Sequence, residues 1–519
     1  MKRRLTRKNS AQKKLGIAGF LGVAAVLSAS VFFLSDQGQA AAKQKADNQK
    51  PNVIVIMADD LGYTDVSTYG NFRLFQTPYI DQIAKDGVLF TQGYVTAPIC
   101  APSRAGLMTG RYQNRFGFEY LDQPKMRAQG VSYGIAPSEQ TLADALRSSG
   151  YHTGLIGKWH LGSEKGFYPT DRGFDEFYGW LSGSTPYIDQ TRPDVVFFDL
   201  SAQEAAVNAN RTDKEKPPVK DWTRRKGEEV VLSGAERTLV DNMDVYLTDD
   251  LAEKASSFIT RNKSAPFFLY LSFSAPHVPL QVTRKYYDRF GHIKDEKTRI
   301  YAAMISALDD GVGRVLTTLK DQGLDENTIV IFISDNGCNG QAGVCLCEPL
   351  NGVKQSHYEG GMRVPYMMRW PARLKPGQVY DKPVSVLDIF PTAVMASGQS
   401  FKSGNPLDGV DLLPYLQRVK GKTVKNELPH PELYWLRRPQ ATIIHDGFKL
   451  WVSDDDQVKL LFDLKNDPGE KQNLYTARPE KVAELNQRLT GFREQMPEPL
   501  WPSPAVKMNF CGQTMTLPY

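Results

Sequence analysis

The sequence predicts an α/β protein built on a large, mostly parallel sheet covered by helices, with a smaller antiparallel sheet and a helix towards its C-terminal end. Three observations carry this expectation. Continuous apolar runs recur between residues 51 and 334, each followed at once by a polar residue; stretches with helical spacing lie among them; and beyond residue 430 the runs become short and are separated by turn residues.

The chain opens on a segment that is not part of either sheet. Lys2, Arg3, Arg4, Arg7, Lys8, Lys13 and Lys14 precede an apolar run from Gly16 to Leu34, and Gly38-Gln39-Ala40 supplies small residues for cleavage, so residues 1–40 read as a secretory signal peptide. The run is long for that role, and an uncleaved membrane anchor is the alternative. With 63 Lys and Arg against 58 Asp and Glu, the whole chain carries a formal +5, but residues 1–40 hold seven bases and one acid, Asp36, so the remainder carries about −1. The basic balance is a targeting signal. It gives no support to a nucleic-acid partner, and no nucleic-acid-binding motif is present.

Pro51 to Met57 is the first buried-strand candidate, ending at Ala58-Asp59-Asp60-Leu61-Gly62. His152 to Ile156 leads into Gly157-Lys158-Trp159-His160-Leu161-Gly162, Pro266 to Ser274 into Ala275-Pro276-His277-Val278-Pro279, and Thr328 to Ser334 into Asp335-Asn336-Gly337. Polar residues just past the carboxyl ends of strands stand where open α/β sheets bind ligands. Gln140–Ser149, Thr248–Arg261 and Lys297–Gln322 have helical spacing, the last with Ile300, Met304, Leu308, Val312, Val315 and Leu319 on one stripe. Between Tyr187 and Asp241 the rhythm is lost and the composition becomes polar, including Lys214-Glu215-Lys216-Pro217-Pro218, which predicts inserted surface loops. Glu432–Leu436, Gln440–Ile444, Phe448–Val452 and Val458–Leu464 read as an antiparallel sheet, followed by an amphipathic helix over Pro479–Gln495. The main domain is accordingly placed at 41–415 and a smaller α+β subdomain at 416–519.

Cys100-Ala101-Pro102-Ser103-Arg104, continuing as Ala105-Gly106-Leu107-Met108-Thr109-Gly110-Arg111, follows Thr96-Ala97-Pro98-Ile99. Proline on both sides and the apolar segment after it place Cys100 at a helix N-terminus, where free N–H donors and a partial positive charge suit an anion. Standing alone, Cys100 reads equally as an ordinary buried thiol. The run C-A-P-S-R-A-G-L-M-T-G-R resembles the signature of type I sulfatases, members of the alkaline-phosphatase-like superfamily, in which the cysteine of C-x-P-S-R is converted to formylglycine. Leu461-Phe462-Asp463-Leu464-Lys465-Asn466-Asp467-Pro468-Gly469-Glu470 with Asn473-Leu474 resembles the C-terminal L-Y-D-L-x-x-D-P-x-E-x-x-N-L segment of the same family. The resemblance covers roughly residues 51–380 and 430–495. If Cys100 is consumed by that modification, Cys338, Cys345, Cys347 and Cys511 are left, enough for two disulfides in an oxidising compartment; Cys345 and Cys347 are too close to pair with each other, and a zinc site over 338–347 lacks a histidine pattern.

Asp59, Asp60, Asp335 and Asn336 are hard oxygen donors without a histidine among them, a set that favours Ca²⁺ over Mg²⁺ and disfavours zinc or copper. The resemblance implies that these four and the modified Cys100 surround the cation, and that Arg104 holds the formylglycine. Lys158, His160, His277 and Lys354, in G-K-W-H-L-G, A-P-H-x-P and N-G-V-K, match its anion-binding and acid–base positions. Taken singly, each would read as a solvated lysine or a structural histidine. Ser184 is a looser match to a polar pocket residue, and His357 has no family role.

The implied reaction is sulfate-ester hydrolysis: a hydroxyl of the hydrated formylglycine attacks sulfur, His277 protonates the leaving group, Lys158 and Lys354 neutralise sulfate oxygens, and His160 takes the second hydroxyl proton to release sulfate. The implied partners are a sulfated oligo- or polysaccharide and a formylglycine-generating maturation enzyme, in the periplasm or outside the cell. Carrageenan-type algal galactans and animal glycosaminoglycans are the open substrate classes. Tyr112, Arg115, Phe116, Tyr187, Trp435, Arg437 and Arg438 are candidates for a carbohydrate and polyanion cleft. Two other functions fit parts of the pattern: a formylglycine-dependent phosphonate monoester or phosphodiester hydrolase, and a non-catalytic sulfated-glycan-binding protein.

Overall fold

A computed structural model describes residues 50–70, 74–121, 130, 132–199, 222–240, 242–340, 344–345, 348–399, 404–416, 427–501 and 505–518. The signal-peptide expectation over 1–40, Lys214–Pro218 and Cys347 lie outside the described residues. Ten strands form the main sheet: β1 (Asn52–Asp59), β2 (Val88–Phe90), β3 (His152–Lys158), β4 (Glu176–Trp180), β5 (Val231–Ser233), β6 (Thr238–Val240), β7 (Phe267–Pro276), β8 (Thr328–Ser334), β9 (Tyr366–Arg369) and β10 (Gln378–Tyr380). Their order is β10-β2-β9-β8-β1-β7-β3-β4-β5-β6. The five central strands, β8, β1, β7, β3 and β4, run parallel; β5 and β6 extend the sheet antiparallel on one side, and on the other β9 is antiparallel to β8 and β2 to β9, with β10 parallel to β2 at the edge. Every residue of β1, β7 and β8 is buried, which is why they read as unbroken apolar runs rather than alternating ones.

Helices cover both faces, and the two-residue period of the strands decides what each helix meets. Ile54, Ile56, Leu269 and Leu271 share a core with α1 (Pro78–Lys85), α4 (Leu247–Arg261) and α5 (Glu296–Asp321). Tyr270 and Ser272, one residue out of phase, instead meet Arg104 of α2 (Cys100–Thr109). On that side α2 packs with α3 (Leu142–Ser148) and α6 (Ile389–Ala396).

The C-terminal sheet is an antiparallel meander of β11 (Glu432–Arg437), β12 (Gln440–His445), β13 (Phe448–Ser453) and β14 (Lys459–Asp463), followed by α7 (Pro479–Arg493). Leu436, Ala441, Ile443, Leu450 and Leu461 pack with Leu485, Leu489 and Phe492 of α7. A terminal hairpin, Ala505–Phe510 with Gln513–Pro518, follows.

The stretch between Tyr187 and Asp241 departs from the expectation of surface loops alone. Val195–Phe197 pairs with Gln281–Thr283, and β5 and β6 form a hairpin that adds to the edge of the main sheet. These runs are three residues long, too short for periodicity to reveal, and it is their partners, Gln281–Thr283 for the first and β4 for the hairpin, that make them strands. Cys338 and Cys345 form a disulfide, which removes them from the rival zinc site, and Cys511 is also disulfide-bonded.

The segment leading into the C-terminal sheet is tied to the main body by His430, whose Nε2 lies 2.7 Å from Asp388 Oδ1. Burial opposes the charged imidazole, but Asp388 outweighs it and raises the His430 pKa. A raised pKa means that this contribution is fully present below the ordinary histidine value, about 6.5, and is lost as pH rises through the folded value. Chemical denaturation should therefore find His430→Asn destabilising by about 1.5–3 kcal/mol at pH 6 and by clearly less at pH 9; a penalty independent of pH would dismiss the charged pair.

Candidate active site

The site forms where three parallel strands end beside a helix start. β1 runs into Asp59-Asp60, β8 into Asp335-Asn336, and β3 ends at Lys158, two residues before His160. Cys100 is the first residue of α2, with Ile99 as its cap in extended conformation, and all ten residues of the helix are buried. The chain after β7 brings in His277, and the loop after β8 brings in Lys354. Asp60 and His160 both adopt left-handed backbone conformations, φ 65° and 61°, uncommon for residues with a Cβ and frequent where a side chain is aimed for function.

Around the Cys100 thiol the charges interlock. Sγ lies 3.1 Å from Lys354 Nζ and 3.7 Å from Asp59 Oδ1. Lys354 Nζ is 2.6 Å from Asp60 Oδ1, and Asn336 Nδ2 donates to the same oxygen at 2.7 Å. Lys158 Nζ donates to Asp59 Oδ2 at 2.7 Å. Arg104 places Nε and Nη2 at 2.9 and 2.8 Å from Asp335 Oδ2, while its Nη1 donates to Ser272 Oγ at 2.6 Å. His277 Nε2 is 3.5 Å from Asp60 Oδ2, and its Nδ1 is 2.7 Å from the Val278 carbonyl.

Burial and the Asp335 charge push the Asp59 carboxyl up to about 7, against Lys158 and Arg104. Burial acts the same way on Asp60, but the charges of Lys354 and His277, with hydrogen bonds from Lys354 and Asn336, outweigh it and hold that carboxyl below the usual range. For Lys354, burial is overcome by Asp60, Cys100 and Asp59, and the ammonium is favoured. Burial lowers His160 well below an ordinary histidine, and the charges of Lys158, Arg104 and Lys354 lower it further. His160 is thus favoured as the neutral imidazole, able to accept a proton.

The donor set fits a divalent cation. Ligand atoms of Asp59, Asp60, Cys100 and His277 lie within 4.8 Å of one another. Asp60 Oδ2 and Asn336 Oδ1 are buried and accept no hydrogen bond, a costly state for such oxygens that a hard cation would relieve.

The contacts above join Asp59, Asp60, Cys100, Arg104, Lys158, His277, Asp335, Asn336 and Lys354, and His160 lies two residues beyond Lys158, within reach of its charge. The carbohydrate-cleft candidates fare differently. Tyr112, Phe116, Tyr187, Trp435 and Arg437 are buried, and Arg115 and Arg438 are engaged by Asp408 and Glu119. Residue type alone suggests a cleft, whereas Tyr112 packs on Phe492 and Tyr434, and Trp435 on Tyr94, inside the protein. Ser184 is buried beside Gly183, where an added Cβ would come within 2.8 Å of His160 Cε1, so only glycine lets the chain pass that imidazole. Ser272 was missed. Its signal is a hydroxyl within the apolar run F-F-L-Y-L-S-F, on the strand face opposite Leu271. His357 is buried, its Nδ1 2.9 Å from Thr442 Oγ1, and has no contact with the thiol given by any bond of the described residues.

The family model described as Sulfatase matches residues 51–398, and that described as N-sulphoglucosamine sulphohydrolase, C-terminal, matches 353–495. N-acetylgalactosamine-6-sulfatase of Homo sapiens is 29% identical over 503 residues, covering 89% of this chain and 88% of that protein. Steryl-sulfatase of Mus musculus is 32% identical over 538 residues, covering 88% and 82%. Among solved structures, that of Ps i-CgsB has a TM-score of 0.73 at 33% identity, covering 87% of this chain and 95% of its own, and a second structure of it contains k-i-k-neocarrahexaose.

Proposed function

Since the chain belongs to the sulfatase family of sulfuric ester hydrolases, we propose that it removes sulfate from an extracellular sulfated carbohydrate, a carrageenan-type galactan being the first class to test, after conversion of Cys100 to formylglycine. The observation that carries this reading is the convergence of Lys354 Nζ and the Asp59 carboxylate on Cys100 Sγ at a buried helix N-terminus, an arrangement made for an anion and a nucleophile at one atom. The relative that holds k-i-k-neocarrahexaose supports the galactan class. Periplasmic or secreted placement follows from the basic, then apolar, N-terminal run. No helix among the described residues is long and apolar enough to cross a membrane.

Asp59, Asp60, Asp335 and Asn336, with position 100, would hold Ca²⁺; when bound, the cation polarises a sulfate oxygen and favours the ionised nucleophile. The hydrated aldehyde at position 100 supplies one hydroxyl for attack on sulfur and a second whose proton is later lost. The chain's own groups do the rest. Lys354 and Lys158 neutralise the sulfate oxygens as charge builds. His277 Nδ1 donates to the Val278 carbonyl, which leaves Nε2, beside Asp60, to deliver a proton to the departing alkoxide. His160, held neutral, accepts the proton whose removal expels sulfate.

A screen of defined sulfated oligosaccharides, including carrageenan and glycosaminoglycan fragments alongside a phosphonate monoester, tests the assignment by free sulfate or phosphonate released. Sulfate release from a galactan fragment is the expected result; release confined to glycosaminoglycans would move the substrate class, and preference for the phosphonate would overturn the sulfatase chemistry. Elemental analysis should find one Ca²⁺ per chain in the purified enzyme and none in Asp335→Ala, with activity lost in step. Stoichiometric zinc would refute the oxygen-ligand reading.

A further inference from the structure

All the side chains gathered at Cys100 come from residues 59–354, yet the C-terminal sheet buries charge against the loop that carries Lys354. Leu436, Ala441, Ile443 and Leu450 face α7, so Trp435, Arg437, Thr442, Lys449 and Trp451, which alternate with them, lie on the other face. That face meets the 353–359 loop. Trp451 shares a core with Val353 and Tyr358 and stacks on His357 with ring centres 5.5 Å apart. Thr442 Oγ1 is 2.9 Å from His357 Nδ1, and Arg437 Nη1 reaches the Gln355 carbonyl at 3.4 Å.

A buried knot of one lysine and two glutamates closes the loop. Lys449 Nζ lies 3.1 Å from Glu359 Oε1 and 2.7 Å from Glu470 Oε1, with all three side chains fully buried. Glu470 also accepts the Glu359 backbone N–H at 2.7 Å, and the Tyr94 hydroxyl donates to Glu359 Oε2 at 2.8 Å. From the catalytic side, the Lys354 N–H donates to the Cys338 carbonyl at 2.9 Å and the Gln355 N–H to Pro98 at 2.7 Å. Gln355, the residue after Lys354, is held at φ 76°, a left-handed conformation that a residue with a side chain keeps only where its surroundings enforce it. A buried ion cluster is a poor source of net stability compared with apolar packing, but it fixes its partners in one register.

Resting on the reading of Lys354 as the sulfate-binding amine, we propose that the C-terminal sheet is the frame that positions Lys354, with Glu470, Lys449 and Thr442 acting as positioning residues through Glu359 and His357. This gives the D-P-G-E segment and His357 a function that neither has by direct contact with the thiol.

The test is a double-mutant cycle on nitrophenyl sulfate, run well below the melting temperature of each variant. Glu470→Gln and Thr442→Val are each made in the wild-type and Lys354→Ala backgrounds. In the wild-type background each should lower kcat by roughly 10- to 100-fold, the scale of a small misplacement of a catalytic group. In the Lys354→Ala background each should lower it less than about twofold, because the amine they position is gone. Equal proportional losses in both backgrounds, or no loss in either, would overturn the proposal. If Glu470→Gln does not fold, Thr442→Val decides alone, since it keeps the shape and removes one hydroxyl. Full activity in Lys354→Ala by itself would instead remove the sulfate-binding role of Lys354, a separate failure that the cycle distinguishes.

Discussion

Cys100→Ala is expected to lose sulfate-ester hydrolysis by on the order of 10⁴-fold or more while remaining folded, because the reaction then lacks its nucleophile. The fold should tolerate the change. Cys100 is the first residue of α2, alanine suits that position, and Asp59 and Lys354, which the thiol contacts, both keep other partners. Cys100→Ser sharpens the test. A serine hydroxyl can attack once but has no second hydroxyl through which to expel sulfate, so the protein should accumulate as a stable sulfate ester detectable on the peptide that contains position 100. Wild-type protein made without a formylglycine-generating system should be equally folded and inactive, and coexpression should restore activity together with a mass loss on the same peptide. Full activity in Cys100→Ala would end the assignment.

His277→Ala should lose roughly 10²–10⁴-fold more kcat/KM on a sugar sulfate than on an aryl sulfate. A sugar alkoxide is a strong base and needs a proton as the S–O bond breaks, whereas a nitrophenolate leaves without one. The geometry assigns the proton to Nε2, since Nδ1 is committed to the Val278 carbonyl and Nε2 faces Asp60. His277 also stands within the cluster of potential metal ligands. If it were a ligand, both substrates should suffer alike and metal content should fall. Equal losses with metal retained would also remove the acid role and turn attention to Lys354.

Much of this site was legible in the residues because its donors follow strands that are themselves legible. Asp59, Lys158, His277 and Asp335 are each at or near the end of an apolar run, and helix α2 begins at Cys100 between two prolines. Residue type alone was a poor guide elsewhere. Trp435 and Arg437 read as cleft residues, but β11 turns them towards the catalytic body, where the Trp435 indole N–H donates to the Val95 carbonyl. Cys338 and Cys345 were two of four open partners until the loop after β8 brought them together.

The sequence by itself determined the parallel core of the main sheet, the C-terminal meander with its helix, and the identity of the charged groups, because burial on both faces or on one writes its period directly into the chain. Only the tertiary structure decided which polar groups meet: Asp60 with Asn336 across 276 positions, Cys100 with Lys354 across 254. It also decided that Lys449 and Glu470 reach back to Glu359. Local periodicity carries no record of such pairings. They are set by strand order and by which face of each element meets another, and in a buried site a charge takes whichever partner the packed chain places within reach, since none is left to water.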